Sequence, residues 1–246
     1  MILNNILEKC LQWLSILIGF GWGGRKTISY ELKYVKSIIK KGAVFIDCGG
    51  NIGDYTNEII KRFNNPEVHI FEPSLVCVEK LAKRFSFNQK VKINQLGLSN
   101  TNTELLLYSD KFGSSLASLT KRNLKHFHKD FNLEEKIKVI KFKEYWKENI
   151  NAEVIDLFKI DVEGHEMDVL EGIGDKISKI RLIQFEFGGC NIDTRTFFQD
   201  FWYFFNKNNF KIFRISPLGL IELVQYKEIY ESFVTTNFLC VNKKLL

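Results

Sequence analysis

VFIDCGGNIGDYT, the stretch from Val44 to Thr56, decides the fold because it changes character within a few residues. Its first three residues are strand formers, and an acidic residue, Asp47, follows them directly. Gly49, Gly50 and Gly53 come next, and polar residues then begin a helical pattern. Glycines between a strand and a helix permit positive φ and let backbone amides approach a ligand closely. The stretch therefore predicts a buried strand, a ligand-binding turn and a helix, in that order.

The same alternation of apolar runs and helical patterns continues along the chain. Strand patterns occur at 43–49, 67–73, 90–99, 103–109, 137–146, 154–161 and 180–188, and two more follow at 210–224 and 235–241. The last two can pair antiparallel, whereas helical patterns separate most of the others. This alternation predicts an α/β fold with a mostly parallel sheet, helices on both faces, and a ligand beyond the carboxyl ends of the strands.

Two acids narrow the choice of ligand. A glycine-rich turn alone suits nicotinamide, flavin or S-adenosylmethionine equally well. Here the spacing is G-G-x-x-G, and Asp47 ends the strand, where a negative charge disfavours a diphosphate but suits a cationic amino or sulfonium group. Glu72 ends the second strand, nineteen residues after Gly53, and its carboxylate can accept both hydroxyls of an adenosine ribose. Together these residues favour S-adenosylmethionine over a dinucleotide.

A second cluster of acids follows a later strand. The segment LFKIDVEGHEMDVLEG, from Leu157 to Gly172, places Asp161, Glu163 and His165 at another strand-to-helix junction. A helix N-terminus stabilises acids, which explains those inside the helix but not these three residues. The neighbouring predicted strand ends in a further acid, Glu186. These side chains are therefore candidates for chemistry at the same edge of the sheet.

The motifs FIDCGGNIGDYT, IFEPS, LGLSN and LFKIDVEGHEMDVLEG resemble those of the FkbM-type methyltransferases. The resemblance covers residues 43–188 and, loosely, the C-terminal strands. It implies a Rossmann-like, doubly wound, mostly parallel seven-strand sheet with an antiparallel C-terminal strand. It also implies an S-adenosylmethionine-dependent O-methyltransferase acting on hydroxyls of sugars, surface glycans or secondary metabolites. We therefore expect a methyltransferase domain at 43–246, preceded by an N-terminal helical extension at 1–42.

The resemblance also implies a cofactor site. The residues that would hold S-adenosyl-L-methionine are Asp47, Gly49, Gly50, Asn51, Gly53 and Glu72, with Gly97, Leu98 and Asp161 closing around adenine and methionine. One departure is Gly50, because family members usually have alanine at this position. The departure is mild and leaves the turn workable.

Methyl transfer from a sulfonium is an in-line displacement, so catalysis depends mainly on positioning the reactants. An alcohol acceptor must also lose a proton, and the candidate bases are His165, Glu163 and Glu186. Histidine needs the least tuning because its unperturbed pKa is near neutrality. The acids of this cluster could instead hold a divalent metal that orients a sugar diol, although no clear ligand spacing supports one.

Two other classes of function remain open. A nucleotide-dependent oxidoreductase of Rossmann type would use the same glycine turn, but Asp47 disfavours its diphosphate. A catalytically silent subunit could keep the cofactor fold, although it need not retain Asp47, Glu72 and Asp161 together. DNA-base methylation is not expected because the Pro-Pro and Pro-Cys dipeptides it uses are absent from the sequence. The expected acceptor is a small molecule or a glycan.

Composition bears on the cellular setting. The chain has 35 Lys and Arg against 29 Asp and Glu, a net charge of +6, which suits acidic substrates or an anionic surface without indicating nucleic-acid binding. Its five cysteines are odd in number and none has C-x-x-C spacing. This pattern argues against a disulfide framework or a zinc site and predicts a reducing, cytoplasmic compartment.

The first residues predict an amphipathic helix that ends near Gly19. Its apolar stripe consists of Leu3, Leu7, Cys10, Leu14 and Leu17. Charged residues interrupt the helix, so no apolar run is long enough to span a bilayer, and no signal-peptide cleavage site follows. The helix could pack on the domain or on a second copy in a homo-oligomer. Alternatively, it could anchor the protein to a membrane surface through Trp13, Phe20 and Trp22.

Overall fold

The computed structural model describes residues 2–39 and 44–245, so the predicted domain boundary between 42 and 43 lies outside the described residues. The helices are α1 Ile2–Leu17, α2 Ile28–Ile38, α3 Asp54–Arg62, α4 Leu75–Arg84, α5 Phe142–Asn149, α6 Glu166–Ile173, α7 Cys190–Thr194 and α8 Phe198–Lys207. The strands are β1 Val44–Cys48, β2 Glu67–Phe71, β3 Val91–Asn94, β4 Gly97–Leu98, β5 Thr103–Ser109, β6 Leu133–Ile140, β7 Ile155–Ile160, β8 Ile180–Phe187, β9 Phe210–Ser216, β10 Gly219–Leu223 and β11 Thr236–Asn242.

The main sheet has, within the described residues, eight strands in the order β10-β9-β11-β8-β7-β1-β2-β3. Strands β3, β2, β1, β7 and β8 run parallel, whereas β11 is antiparallel to both β8 and β9. The mostly parallel sheet and the antiparallel C-terminal strand are therefore confirmed. The eighth strand is β10. The segment 210–224, predicted as a single strand, is an antiparallel hairpin of β9 and β10. Pro217, in the turn, lacks the N–H that a continuous strand would need.

Helices cover both faces of the main sheet, as the doubly wound prediction requires. On one face α5, α6 and α8 pack a core that includes Phe142, Val169 and Phe201. On the other face α2 and α3 pack a second core that includes Leu32 and Ile59. Chain order reverses at β1, which lies between β7 and β2, so the glycine turn after β1 emerges at the switch point of the sheet.

The irregular middle forms a separate three-stranded sheet in the order β4-β6-β5. The predicted strand at 90–99 is divided between the two sheets as β3 and β4. The predicted strand at 137–146 is wrong in its second half, where α5 begins at Phe142. Phe142, Tyr145 and Trp146 are all buried, and their spacing of three and four residues places them on one face of a helix. Burial of this aromatic face therefore overrides the alternating pattern that predicted a strand.

The predicted amphipathic helix is present as α1, but most of its apolar side chains are exposed. Leu3, Leu11 and Trp13 are 67%, 66% and 65% exposed. Phe20, predicted as part of a membrane anchor, is instead buried, with its ring 4.0 Å from the Arg214 guanidinium carbon. In the described part of the chain, no helix combines the length and apolar character needed to cross a membrane.

Candidate active site

A cavity of about 890 Å³ lies beyond the carboxyl ends of β1, β2, β7 and β8. Its wall includes every site residue predicted from the sequence except Gly53, namely Asp47, Gly49, Gly50, Asn51, Glu72, Gly97, Leu98, Asp161, Glu163, His165 and Glu186. The N-terminal segment adds Gly23, Arg25 and Glu31 to the wall. A cavity of this size and position is typical of a site for small molecules.

The glycine turn is fixed by close approach of the backbone. Gly49 has φ +80°, and a Cβ atom there would lie 1.8 Å from the carbonyl oxygen of Asp161, so only glycine fits. A Cβ atom at Gly50 would lie 2.3 Å from Cγ2 of Ile70. A glycine at position 50 therefore matches the space that Ile70 leaves.

Gly53 has a structural role at the end of the turn. It is the N-cap of α3 with φ +83°, and an added Cβ atom would lie 2.5 Å from the ring of Phe85. Gly53 therefore allows α3 to pack on α4, and it does not form part of the cavity wall. Its position in the motif is explained by helix packing without any contact to a ligand.

Asp47 is fully buried, and only one of its two carboxylate oxygens has a hydrogen-bond partner among the described residues. Its Oδ2 accepts a hydrogen bond of 2.6 Å from the Thr56 hydroxyl, whereas Oδ1 has no hydrogen-bond partner among the described residues. Burial raises the pKa of this carboxyl, and the positive charge of Lys159 opposes the shift. A buried polar atom without a partner is unusual, and at the wall of a cavity it fits a cationic group of a bound ligand.

Glu72 ties the glycine turn to the end of β2. Its Oε2 accepts a hydrogen bond of 2.8 Å from the Asn51 N–H, and Oε1 accepts one of 2.9 Å from the Ser74 N–H. Burial raises the pKa of Glu72 to about 7, although both of these bonds favour the ionised form. Each oxygen retains a second lone pair, so the two hydroxyls of a ribose can still bind.

Asp161 pairs with a lysine that the sequence did not identify. Lys159 Nζ lies 2.9 Å from Asp161 Oδ2, and the lysine side chain is 9% exposed. Burial opposes the charged form of Lys159, but the carboxylates of Asp161 and Asp47 together raise its pKa above the usual value. Lys159 therefore supplies a fixed positive charge to the floor of the cavity.

Glu163 pairs with Arg122, which comes from the loop between β5 and β6. Arg122 Nη1 lies 2.6 Å from Glu163 Oε2, and its Nε lies 3.1 Å from Asp193 Oδ2. The arginine side chain is only 7% exposed. Burial raises the pKa of Glu163 to about 8, the charge of Asp161 adds to the shift, and Arg122 opposes it. The catalytic candidate is thus held by a buried cation.

His165 is oriented at both ring nitrogens. Its Nδ1 lies 2.7 Å from Asp168 Oδ2, and its Nε2 lies 3.0 Å from the Thr120 hydroxyl oxygen. An ionised carboxylate only accepts hydrogen bonds, so Nδ1 carries the proton of the neutral ring and Nε2 accepts from Thr120. This is the arrangement of a histidine whose Nε2 can take a proton.

Glu186 differs from the other acids of the cavity because no cation or donor holds it. In the part of the chain that the structure describes, its carboxyl makes no hydrogen bond and no ion pair. Its Oε2 lies 3.9 Å from the position that a Cβ atom would take at Gly23. Burial raises the pKa of Glu186 well above its usual value, and the charges of Asp161 and Glu163 add to the shift.

The loop segment 118–122, between β5 and β6, makes three contacts to residues 163 and 165, which follow β7. Two residues of this segment, Thr120 and Arg122, were not predicted from the sequence. The Ser118 hydroxyl donates to the Glu163 carbonyl oxygen at 2.7 Å, and Thr120 and Arg122 contact His165 and Glu163 as described above. These partners are 41 to 45 residues apart in the chain. The serine-rich segment FGSSLASL, residues 112–119, suggests a substrate or adenine contact from its sequence and contains Ser118, whereas Thr120 and Arg122 lie beyond it.

The divalent metal that the acids could have held has no support in the described residues. No group of three or more His, Cys, Asp or Glu side chains there is placed to bind a metal ion. The cations Lys159 and Arg122 occupy the positions beside Asp161 and Glu163 that a metal would need.

The sequence matches the family model of the methyltransferase FkbM domain over residues 47–212, which is well over half of the chain. The chain belongs to this family. It is 28% identical over 156 residues to Methyltransferase sdnD of Sordaria araneosa, covering 53% of this chain and 60% of that protein. It is also 28% identical over 145 residues to Methyltransferase 1 of Beauveria bassiana, covering 53% and 58%. The chain thus spans less than two thirds of the length of these FkbM relatives.

Solved structures confirm the fold of this FkbM protein. A Streptococcus mutans protein described as a methyltransferase, solved in complex with SAH, has a TM-score of 0.50 at 10% identity. The alignment covers 87% of this chain and 96% of that one. The chain has the Rossmann-like fold of a methyltransferase of this family, its family membership supports S-adenosyl-L-methionine as the methyl donor, and the oxidoreductase alternative is not favoured. Asp47 Oδ1 and the glycine turn fit the donor, which when bound supplies an electrophilic methyl group on a positively charged sulfur.

Proposed function

We propose that this FkbM methyltransferase methylates a hydroxyl oxygen of a small, sugar-like acceptor. The observation that carries the proposal is His165 at the cavity wall, with its Nδ1 2.7 Å from Asp168 Oδ2 and its Nε2 3.0 Å from the Thr120 hydroxyl oxygen. An alcohol becomes a competent nucleophile only when a base removes its proton as the new bond forms. A histidine oriented by a carboxylate supplies that base.

The acceptor hydroxyl takes the place of the Thr120 hydroxyl as the donor to Nε2 of His165. The proton passes from the acceptor oxygen to Nε2, and the Asp168 carboxylate stabilises the resulting imidazolium through Nδ1. Asp168 is thus a positioning residue that fixes the tautomer and holds the ring. Asp47, Asn51 and Glu72 hold the donor, and the glycine turn allows its close approach.

The carboxylates of the cavity favour an acceptor with several hydroxyls. Asp161, Glu163 and Glu186 line one wall and present oxygens that accept hydrogen bonds from neighbouring hydroxyl groups. A sugar or a similar polyol offers such groups at the right density, whether it is free or part of a glycan. A catalytically silent subunit is less well supported, because the donor-binding acids and the oriented histidine are present together.

The test is transfer of labelled methyl groups from S-adenosylmethionine to a panel of monosaccharides, disaccharides and nucleotide-linked sugars, with amines and RNA as competing acceptors. We expect products methylated on oxygen, and we expect His165→Asn to lower kcat by roughly 100- to 10,000-fold while binding of S-adenosylhomocysteine is retained. His126→Asn, at an exposed histidine outside the cavity wall, is the matched control. Methylation of amines or RNA alone, or a His165→Asn variant with wild-type turnover, would contradict the proposal.

A further inference from the structure

Three acids at the ends of β7 and β8 face the cavity, and they are not held alike. Asp161 has Lys159 at 2.9 Å, and Glu163 has Arg122 at 2.6 Å. Glu186 has neither a cation nor a hydrogen-bond donor in the described residues. Two of the three acids therefore have a cation of the protein beside them, and the third does not.

Charged groups near Glu186 come from β7, from α6 and from the N-terminal segment, whose Arg25 and Glu31 line the same cavity. Asp161 and Glu163 lie at the end of β7 and Glu166 begins α6, and all three disfavour a further negative charge. Lys159, within β7, is the cation that acts in the opposite direction. Burial and these acidic neighbours raise the pKa of Glu186 and favour its protonated form.

We propose that Glu186 is the acid that releases a proton to solvent when the positively charged methyl donor enters the cavity. A positive charge among these acids offsets their repulsion and favours the ionised form of Glu186. The protonation state of Glu186 thus responds to the charge on the donor and not to the mere filling of the site. The inference depends on the identity of the donor and does not depend on the acceptor proposed above.

A consequence for the reaction follows from charge balance. Lys159 and Arg122 compensate Asp161 and Glu163, and the donor's charge compensates ionised Glu186. No negative charge then remains uncompensated on this wall, so the acceptor that binds beside it should be neutral. A hydroxyl compound satisfies this condition, whereas a protonated amine does not.

The test compares two ligands that differ in charge at one atom. S-adenosylmethionine carries a positive sulfonium, and S-adenosylhomocysteine carries a neutral thioether in the same scaffold. Titration calorimetry of the full chain, in buffers with different ionisation enthalpies, measures the protons released on binding each ligand. We expect wild type to release about 0.5 to 1 more proton per site with S-adenosylmethionine than with S-adenosylhomocysteine near neutral pH.

Two variants identify the group that releases the proton. In Glu186→Gln we expect the difference between the two ligands to fall close to zero while both still bind. In Glu163→Gln, the matched control, we expect most of the difference to remain. Circular dichroism of each variant confirms that it is folded, and the wild-type comparison stands even if one variant does not fold.

Three results would overturn the inference. Equal proton release by wild type with the two ligands would show that no group responds to the donor's charge. Loss of the difference in Glu163→Gln with retention in Glu186→Gln would assign the proton to the other acid. Failure of both ligands to bind would remove the donor site on which the inference rests. A clear difference without methylation of any hydroxyl would instead contradict the proposed function and leave this inference intact.

Discussion

Arg122→Met tests whether the loop between β5 and β6 holds the strand-end loop through a buried charge. Arg122 contacts Glu163 at 2.6 Å and Asp193 at 3.1 Å, and the three side chains are 7%, 16% and 22% exposed. Removing one partner of a buried ion pair leaves an uncompensated charge, which costs about 3–5 kcal/mol of folding free energy. Methionine keeps much of the side-chain volume, so we assign this cost to the lost charge.

The stability lost in Arg122→Met should depend on pH because the protonation state of Glu163 changes with pH. The pKa of Glu163 in the folded protein is raised to about 8, above its value in the unfolded chain, so this group loses its favourable contribution as pH rises from about 4.5 to 8. Without Arg122 the pKa of folded Glu163 rises further, and the loss continues above pH 8. The stability difference between wild type and Arg122→Met should then widen by about 1.4 kcal/mol per pH unit above that point.

Urea unfolding between pH 6 and pH 9 measures both effects. Arg84→Met is the matched control, because Arg84 lies 2.7 Å from Asp54 but each of these side chains is 33% exposed. An exposed pair of this kind contributes at most about 1 kcal/mol, and its loss should not change with pH in this range. If Arg122→Met were no more destabilising than Arg84→Met, or if its cost were constant with pH, the role assigned to Arg122 would be refuted.

Two further changes test the donor site. Asp47→Asn should weaken binding of S-adenosylmethionine by roughly 10- to 100-fold in calorimetry through loss of a charged hydrogen bond. Asp47→Asn should leave the melting temperature unchanged or higher because a buried charge is removed. The control Thr56→Val keeps the charge of Asp47 and should bind the donor normally. Gly50→Ala should lower the free energy of unfolding by about 1–3 kcal/mol, because its Cβ atom would lie 2.3 Å from Ile70. Gly189→Ala, where the nearest atom would lie at 3.8 Å, should change stability little in the same urea titration.

The sequence predicted those parts of the site whose signal is local. Asp47 lies near the end of β1, Glu72 and Asp161 directly follow β2 and β7, and the carboxyl ends of neighbouring parallel strands meet at one edge of the sheet. Their convergence on one cavity therefore follows from the strand order alone. Gly53 shows the limit of this reasoning, because a glycine that permits helix packing and one that contacts a ligand look the same in a motif.

The contacts that orient the catalytic candidates could not be predicted in this way. Thr120 and Arg122 lie in a polar loop without periodicity, and their partners His165 and Glu163 are 45 and 41 residues away. Which loop residue contacts His165 and which contacts Glu163 depends on how the three-stranded sheet packs against the main sheet. Lys159 was not predicted for another reason. A lysine inside an apolar strand pattern is usually expected to reach solvent.

The N-terminal segment shows why family membership describes only part of this cavity. The match to the FkbM family begins at residue 47, yet Gly23, Arg25 and Glu31 precede that point and line the same cavity. Glu31 is held rigidly, because its carboxylate accepts hydrogen bonds from Gln184 on β8 at 2.6 Å and from Asn237 on β11 at 3.2 Å. The segment is therefore fixed to the main sheet and approaches Glu186 from outside the region that matches the family. Because the acids at the strand ends belong to the matched region and this covering segment does not, the family match accounts for only part of the cavity wall.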